Sequence, residues 1–230
     1  MSDPTSSPAG HSAGDAFLIN PRGGVRGPGV LILHSWWGLT DGVKDLAERV
    51  ADLGYTVIAP DLLGGVRPES AEQGAELLAE ISPDELSGLV ISSAHTLRAV
   101  SADETKPIIV IGLSMGGTMA LWLSARLPES ITGVVTFYGT QSIDFDSAEA
   151  SYQGHFGDQD HIVDEEDRVV TESFIRLGEN ETDFHVYEGV GHWFFEPGDH
   201  HDSAASDLAW ERMAAFLTER LPPAAAASDS

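Results

Sequence analysis

The residues with the clearest catalytic potential are Gly112, Ser114 and Gly116, which form a Gly-x-Ser-x-Gly pattern directly after the apolar run at 108–111. This pattern is typical of a nucleophile elbow, a sharp strand-to-helix turn that holds a serine hydroxyl out at the top of a sheet. Glycine is needed at both positions because a side chain there would collide with the neighbouring strand or helix. The segment predicts Ser114 as a nucleophile, but glycine-rich turns are common after strands and the pattern needs support from elsewhere in the chain.

A serine hydroxyl is a weak nucleophile at neutral pH, so it needs an imidazole to take its proton and a carboxylate to orient that imidazole. Downstream of Ser114 the chain offers Asp158 and Asp160 after one predicted strand, and His192 after the next. Serine, acid and histidine in this order at three strand ends are much more specific than the elbow alone. The alternatives are a turn residue for Asp158 and a partly buried histidine for His192.

The tetrahedral intermediate of acyl transfer also needs two backbone N–H donors. One is predicted at Met115, directly after the nucleophile, and the other at Trp36, in the loop 34–38 that follows the first core strand. Aromatic side chains near these loops could line an apolar acyl pocket, although packing at the sheet edge explains them at least as well. The candidate pocket residues are Ser35, Trp37, Tyr138, Trp193, Phe194 and Arg67.

These residues are positioned by a regular alternation of predicted strands and helices. The predicted strands are residues 17–20, 30–34, 55–59, 108–113, 133–138, 152–157 and 183–187. The predicted helices are residues 41–53, 69–81, 83–100 with Ser82 as the capping residue, 115–127, 164–177 and 203–220. Strands joined by helices of this length imply an α/β fold with a mostly parallel sheet covered on both faces. Ligands bind at the carboxyl ends of such strands, which is where Ser114 lies.

Five blocks of the sequence resemble the dienelactone hydrolase family of α/β-hydrolases. They are HSWWGL at 34–39, GYTVIAPDL at 54–62, GLSMGG at 112–117, HFGDQD at 155–160 and GH at 191–192. The resemblance covers roughly residues 15–220 in the expected order. It implies an α/β-hydrolase fold without a large lid domain and hydrolysis of an ester or lactone through an acyl-enzyme. It also favours Asp160 as the acid, because the family places the acid three residues after a glycine and before an apolar pair, here Ile162 and Val163.

The chain departs from the family pattern at the nucleophile and in the first motif. The family's nucleophile is cysteine, whereas position 114 is serine, and Ser35 replaces the glutamate that helps to ionise that thiol. The two changes are consistent with each other. A serine that is activated by His192 does not have to be ionised in advance as a thiol does, so the auxiliary carboxylate is no longer needed. They predict a conventional serine esterase mechanism on this scaffold.

A third departure concerns the substrate. Dienelactone hydrolases bind a substrate carboxylate with arginines, one of them shortly after the catalytic histidine. Here no arginine lies between His192 and Arg212, and Glu196 stands near the expected place. An acidic pocket would disfavour a carboxylated dienelactone. Arg67 remains a candidate for this role, with solvation in its loop as the alternative.

The favoured function is therefore a carboxylic ester hydrolase of the EC 3.1.1 type that acts on small esters or lactones. A thioesterase, an acyltransferase or a perhydrolase would use the same triad, and a ligand-binding protein could retain the elbow without turnover. No cofactor or metal is expected, because the adjacent His200 and His201 would rarely converge on one ion and GLSMGG lacks the lysine of a phosphate-binding loop.

Length and composition limit the number of domains and the kinds of partner that the chain can have. The 230 residues predict one domain at 15–221 between disordered tails at 1–14 and 222–230. A formal charge of −25 argues against nucleic acid and anionic membranes as partners, and it reflects either high-salt adaptation or a composition-biased surface. There is no cysteine, no secretory signal at the N-terminus and no apolar run long enough to cross a bilayer. A soluble cytoplasmic protein, monomeric or homodimeric, is expected.

Overall fold

The computed structural model describes residues 15–223, so the predicted tails lie outside the described residues apart from Pro222 and Pro223. The strands in this range are β1 (Ala16–Ile19), β2 (Gly29–Leu33), β3 (Thr56–Pro60), β4 (Ile108–Leu113), β5 (Ile131–Phe137), β6 (Ser151–Gly157) and β7 (Thr182–Tyr187). The α-helices are α1 (Asp41–Asp52), α2 (Ala71–Glu80), α3 (Pro83–Val100), α4 (Met115–Arg126), α5 (Glu165–Leu177) and α6 (Ser203–Arg220). None of these helices is long and apolar enough to cross a membrane.

The strands form one sheet in the order β1-β3-β2-β4-β5-β6-β7. β1 pairs antiparallel with β3, and all other neighbouring strands are parallel. The carboxyl ends of β2 to β7 therefore lie at the same edge of the sheet. The loops that carry the predicted site residues leave from this edge, as the sequence predicts.

The sheet is covered on both faces because residues of its central strands alternate between two cores. On β2, Val30 and Ile32 belong to the core that includes residues of α1 and α6, whereas Leu31 and Leu33 belong to the core that includes residues of α3 and α4. A strand that is buried on both faces is apolar throughout, which explains the continuous apolar runs in the sequence. Within residues 15–223 no separate lid domain is inserted, and the predicted α/β-hydrolase architecture is confirmed.

Two local predictions need correction. Ser82 makes no side-chain capping hydrogen bond, because Pro83 already sets the first turn of α3. At α2 the hydroxyl of Ser70 accepts from the backbone N–H of Gln73, so this helix begins at Ala71 rather than at residue 69.

Candidate active site

Ser114 lies at the turn between β4 and α4, where the sequence predicts the elbow. Its backbone adopts φ 52° and ψ −114°, outside the regions that residues with side chains ordinarily occupy. A Cβ at Gly112 would overlap the carbonyl group of Gly116, and a Cβ at Gly116 would overlap that of Leu33. The close approach of backbone therefore requires both glycines, and it presents Ser114 half-buried at the carboxyl edge of the sheet.

The predicted base and acid reach Ser114 from two neighbouring loops. Ser114 Oγ lies 2.8 Å from His192 Nε2, and His192 Nδ1 lies 2.6 Å from Asp160 Oδ2. The side chains of His192 and Asp160 are 4% and 1% exposed, so water does not compete for this contact. A carboxylate that accepts from Nδ1–H leaves Nε2 free to accept the hydroxyl proton of Ser114.

The structure distinguishes Asp160 from Asp158 by their partners. Asp160 Oδ1 accepts from the backbone N–H groups of Ile162 and Val163, at 2.8 and 3.0 Å. Burial alone would raise the pKa of Asp160, but the hydrogen bonds from His192 and these two amides outweigh it and hold the pKa below its ordinary value. Asp158 Oδ1 accepts instead from the N–H of Gly189 at 2.7 Å, which is the turn role considered for it.

The loop after β2 is held in place by a fully buried histidine. His34 Nε2 accepts from the backbone N–H of Leu62 at 2.8 Å, so the ring proton lies on Nδ1, which donates to the carbonyl of Ser35 at 2.6 Å. The N–H of Gly38 donates to the same carbonyl at 3.1 Å. These bonds fix the turn that carries Trp36 and tie it to the loop after β3.

The two backbone N–H groups predicted as oxyanion donors have no acceptor within residues 15–223. Neither the N–H of Trp36 nor that of Met115 donates to another described residue. The two segments are neighbours, because Gly116 packs directly against the carbonyl of Leu33 at the end of β2. Backbone donors without a partner in the protein are available to bind an oxyanion.

Trp36, Trp37 and Trp193 form a tryptophan cluster with ring centroids 5.2 to 6.2 Å apart. Trp36 and Trp37 are half-buried, and Trp193 meets the His192 ring edge-on at 4.8 Å. The cluster therefore contributes an apolar surface next to the imidazole, and it includes Trp37 and Trp193 of the predicted pocket.

The other predicted pocket residues are placed differently. Ser35, Tyr138 and Phe194 are fully buried, so they have no surface to offer a ligand and lie behind the site. Phe194 packs on Tyr138 and Tyr187 in the core, while Tyr138 packs 4.6 Å from the His192 ring. Arg67 Nη1 donates to Asp61 Oδ2 at 3.3 Å, so its charge is already paired within the protein.

Glu196 makes buried contacts beside the site that the sequence did not reveal. Its carboxyl group is buried and accepts hydrogen bonds from Ser35 Oγ at 2.6 Å and Tyr138 Oη at 2.9 Å. A carboxyl group therefore reaches Ser35 from position 196, whereas the expectation that the serine mechanism needs no auxiliary carboxylate stays a prediction. The only signal in the sequence is the position of this glutamate, directly after the bulky apolar run Trp193-Phe194-Phe195.

Comparison with known proteins identifies the family. The family model described as the dienelactone hydrolase family matches residues 15–221. The chain belongs to the dienelactone hydrolase family. The predicted enzyme class, a carboxylic ester hydrolase, is confirmed with it.

Individual relatives are distant but match over nearly their whole length. Protein usf of Aquifex pyrophilus is 24% identical over 216 residues, which cover 89% of this chain and 93% of the relative. A dienelactone hydrolase-like promiscuous phosphotriesterase from metagenomic libraries has a TM-score of 0.75 at 23% identity, over 91% of this chain and 99% of its own. An esterase of Thermogutta terrifontis with bound propionate has a TM-score of 0.70 at 15% identity, over 91% of each chain. These structures show a shared fold.

Proposed function

We propose that this member of the dienelactone hydrolase family is a serine esterase that cleaves small neutral carboxylic esters and lactones through an acyl-enzyme. Ser114 is the nucleophile, His192 is the general base and then the general acid, and Asp160 orients the imidazole. The observation that carries the proposal is the unbroken series of hydrogen bonds from Ser114 Oγ through His192 to Asp160.

The geometry suits a two-step acyl transfer. The oxygen of Ser114 attacks the ester carbonyl while its proton passes to His192 Nε2, and the imidazolium then protonates the leaving alkoxide. Water attacks the resulting acyl-serine in the same way, giving up a proton to His192, and the carboxylic acid leaves as Ser114 regains its proton. Asp160 stabilises the imidazolium in both steps through its bond to Nδ1.

The oxyanion of each tetrahedral intermediate is proposed to bind the N–H groups of Trp36 and Met115. Support comes from their free donors and from the adjacency of the two segments at Gly116. Donors that are fixed before the reaction stabilise the charge that develops on the carbonyl oxygen without reorganisation.

A neutral substrate is favoured by the charges around the site. Arg67 is paired with Asp61, and Glu196 occupies the position where the family resemblance leads one to expect an arginine. The acids Asp160 and Glu196 and the overall charge of −25 would repel a substrate carboxylate. The tryptophan cluster offers an apolar surface for the acyl or alcohol group.

The nucleophile is tested with Ser114→Ala and the matched control Ser92→Ala, which removes an exposed hydroxyl on α3. Ser114→Ala should lower kcat for p-nitrophenyl acetate by roughly 10⁴-fold or more and abolish covalent labelling by a fluorophosphonate. Ser92→Ala should change neither. Turnover or labelling that survives in folded Ser114→Ala would exclude Ser114 as the nucleophile.

Substrate charge is tested by comparing p-nitrophenyl acetate with its carboxylated analogue p-nitrophenyl hemisuccinate. We expect kcat/KM to be at least about tenfold higher for the neutral ester, which corresponds to about 1.4 kcal/mol of repulsion. Equal or better turnover of the carboxylated ester, or of the dienelactone itself, would show that a cation serves the site. Acetyl thioesters, alternative acyl acceptors and peroxide belong in the same panel, because they separate an esterase from the other reactions of this triad.

A further inference from the structure

We propose that Glu196 is a positioning residue that acts as a carboxylate and holds the oxyanion loop and the catalytic imidazole in a fixed relation. Together Ser35, Glu196 and Tyr138 form what we call the Glu196 bridge. This inference rests on the proposed function, because it names a requirement of the same site.

The Glu196 bridge joins two strand ends of the sheet. Glu196 Oε2 accepts from Ser35 Oγ in the loop after β2, and Oε1 accepts from Tyr138 Oη directly after β5. Ser35 and Tyr138 have no exposed surface, and Glu196 is 8% exposed. A buried polar group that loses its partner cannot turn to water, so each bond of the bridge constrains its neighbours.

The hydrogen bonds that Glu196 accepts favour its ionised form. A carboxylate only accepts, whereas a protonated acid must also donate through one of its oxygens. Two hydroxyl groups donate to this carboxyl group, and Ser35 Oγ is already an acceptor for the N–H of Trp37 at 3.4 Å. Protonation would reverse one of the two bonds and leave a buried hydroxyl hydrogen without an acceptor in the bridge.

Each end of the Glu196 bridge contacts the proposed catalytic machinery. The Tyr138 ring packs 4.6 Å from the His192 ring, and the φ of 43° at Tyr138 is a conformation that its surroundings must maintain. Ser35 directly precedes Trp36, whose N–H is the proposed oxyanion donor. When the carboxylate orients both hydroxyl groups, it fixes the base relative to the oxyanion loop.

The ionisation of Glu196 falls near neutral pH. Burial raises its pKa to about 7, although the two hydroxyl donors oppose the shift. Titratable groups on the surrounding segments include Asp160 and His192, which bond to each other, and His34, which donates to the carbonyl of Ser35. They also include Asp41, Lys44 and Asp45 on α1, and Asp199, His200, His201 and Asp202 before and at the start of α6. Among the salt bridges within residues 15–223, none gives Glu196 a cationic partner.

The test compares the pH dependence of kcat/KM for wild type and Glu196→Gln with p-nitrophenyl acetate. Gln resembles the protonated acid in shape and charge but cannot accept from both hydroxyl groups. We expect wild type to exceed Glu196→Gln by between about tenfold and 100-fold above pH 8. The two profiles should converge below pH 6, with KM little changed. A ratio that stays constant across pH would overturn the proposal.

A second pair of variants tests the bridge itself. Tyr138→Phe removes one donor to the carboxylate, so the pKa of Glu196 should rise further. The kcat/KM of Tyr138→Phe is then divided by that of the double variant Tyr138→Phe/Glu196→Gln at each pH. The midpoint of this ratio should lie at a higher pH than the midpoint of the ratio of wild type to Glu196→Gln. A midpoint that does not move would show that the hydroxyl of Tyr138 does not stabilise the carboxylate, which contradicts the bridge.

Failure of the bridge can be separated from failure of the proposed function. Infrared difference spectra report the carbonyl band of a protonated buried carboxylic acid. In wild type this band should appear as the pH is lowered through the pKa of Glu196, and it should be absent in Glu196→Gln. This band tests the ionisation even if no ester is hydrolysed.

Glu129→Gln is the matched control for the change in charge. Glu129 is an exposed glutamate just before β5, at the opposite edge of the sheet, and its replacement should leave the pH profile unchanged. If Glu129→Gln reproduced the effect of Glu196→Gln, the change would be one of overall charge.

Discussion

At the scale of single residues, two aspartates only two positions apart have different partners. Asp160 contacts His192, whereas Asp158 accepts from a turn amide. Asp160→Asn should lower kcat by about 10⁴-fold with a small change in KM, because the amide would favour the wrong tautomer of His192. Asp158→Asn should retain activity within a few-fold and serves as the matched control. Steady-state kinetics on both variants would reassign the acid if Asp158→Asn proved to be the inactive one.

Glu196 also links activity to stability at the residue scale. Its pKa is raised from 4.5 to about 7 in the folded protein, so the favourable contribution of this group is present below pH 4.5 and is lost as pH rises through 7. Relative to Glu196→Gln, wild type should therefore lose unfolding free energy between pH 4.5 and pH 8, by an amount on the order of 3 kcal/mol. Urea unfolding of both proteins at these pH values measures the difference. A difference that does not change with pH would mean that Glu196 keeps its ordinary pKa.

At the scale of elements, the elbow depends on close backbone contact between β2, β4 and α4. Gly116→Ala places a methyl group onto the carbonyl of Leu33, so it should destabilise the protein by at least about 2 kcal/mol or prevent folding. Gly88 is the matched control, because it lies inside α3 and a Cβ there meets nothing within 4 Å. Gly88→Ala should stabilise the protein by up to about 1 kcal/mol. Thermal unfolding checks both, and a harmless Gly116→Ala would show that the elbow can relax.

The elements and the triad were largely predictable because their signals are local. A strand, a glycine-flanked serine and a helix are adjacent in sequence, and Asp160 and His192 follow strands whose parallel order brings their ends together. The predicted limits of the strands were less accurate. The sequence predicts a strand at 133–138, whereas β5 begins at Ile131 and continues through Gly133. The backbone pairing with β4 extends across that glycine, and no local pattern reveals it.

The Glu196 bridge was not predictable for the opposite reason. Ser35 and Glu196 are 161 residues apart, and their contact depends on the final packing of two loops. The same packing buries Tyr138 and Phe194, which the sequence could only place near the sheet edge. Aromatic residues at a strand end are compatible with a pocket wall or with a core, and only the three-dimensional arrangement decides between them.

At the scale of the whole molecule, the dominant property is charge. The 37 acidic and 12 basic side chains give a formal charge of −25, and repulsion among them opposes the compact state. Salt shortens the Debye length from about 30 Å at 0.01 M to about 3 Å at 1 M. We therefore expect Tm at pH 8 to rise by several degrees between 0.01 M and 1 M sodium chloride. Differential scanning calorimetry checks this, and a Tm that is independent of salt would show that the surface charges are already compensated locally.

The contact between positions 35 and 196 also affects how this chain should be compared with its relatives. An alignment read one column at a time records the loss of a glutamate at position 35 and an unrelated acid at position 196. The bond between their side chains shows that the two positions belong to one site in this chain. Sorting the family by mechanism would therefore require scoring the two columns as a pair.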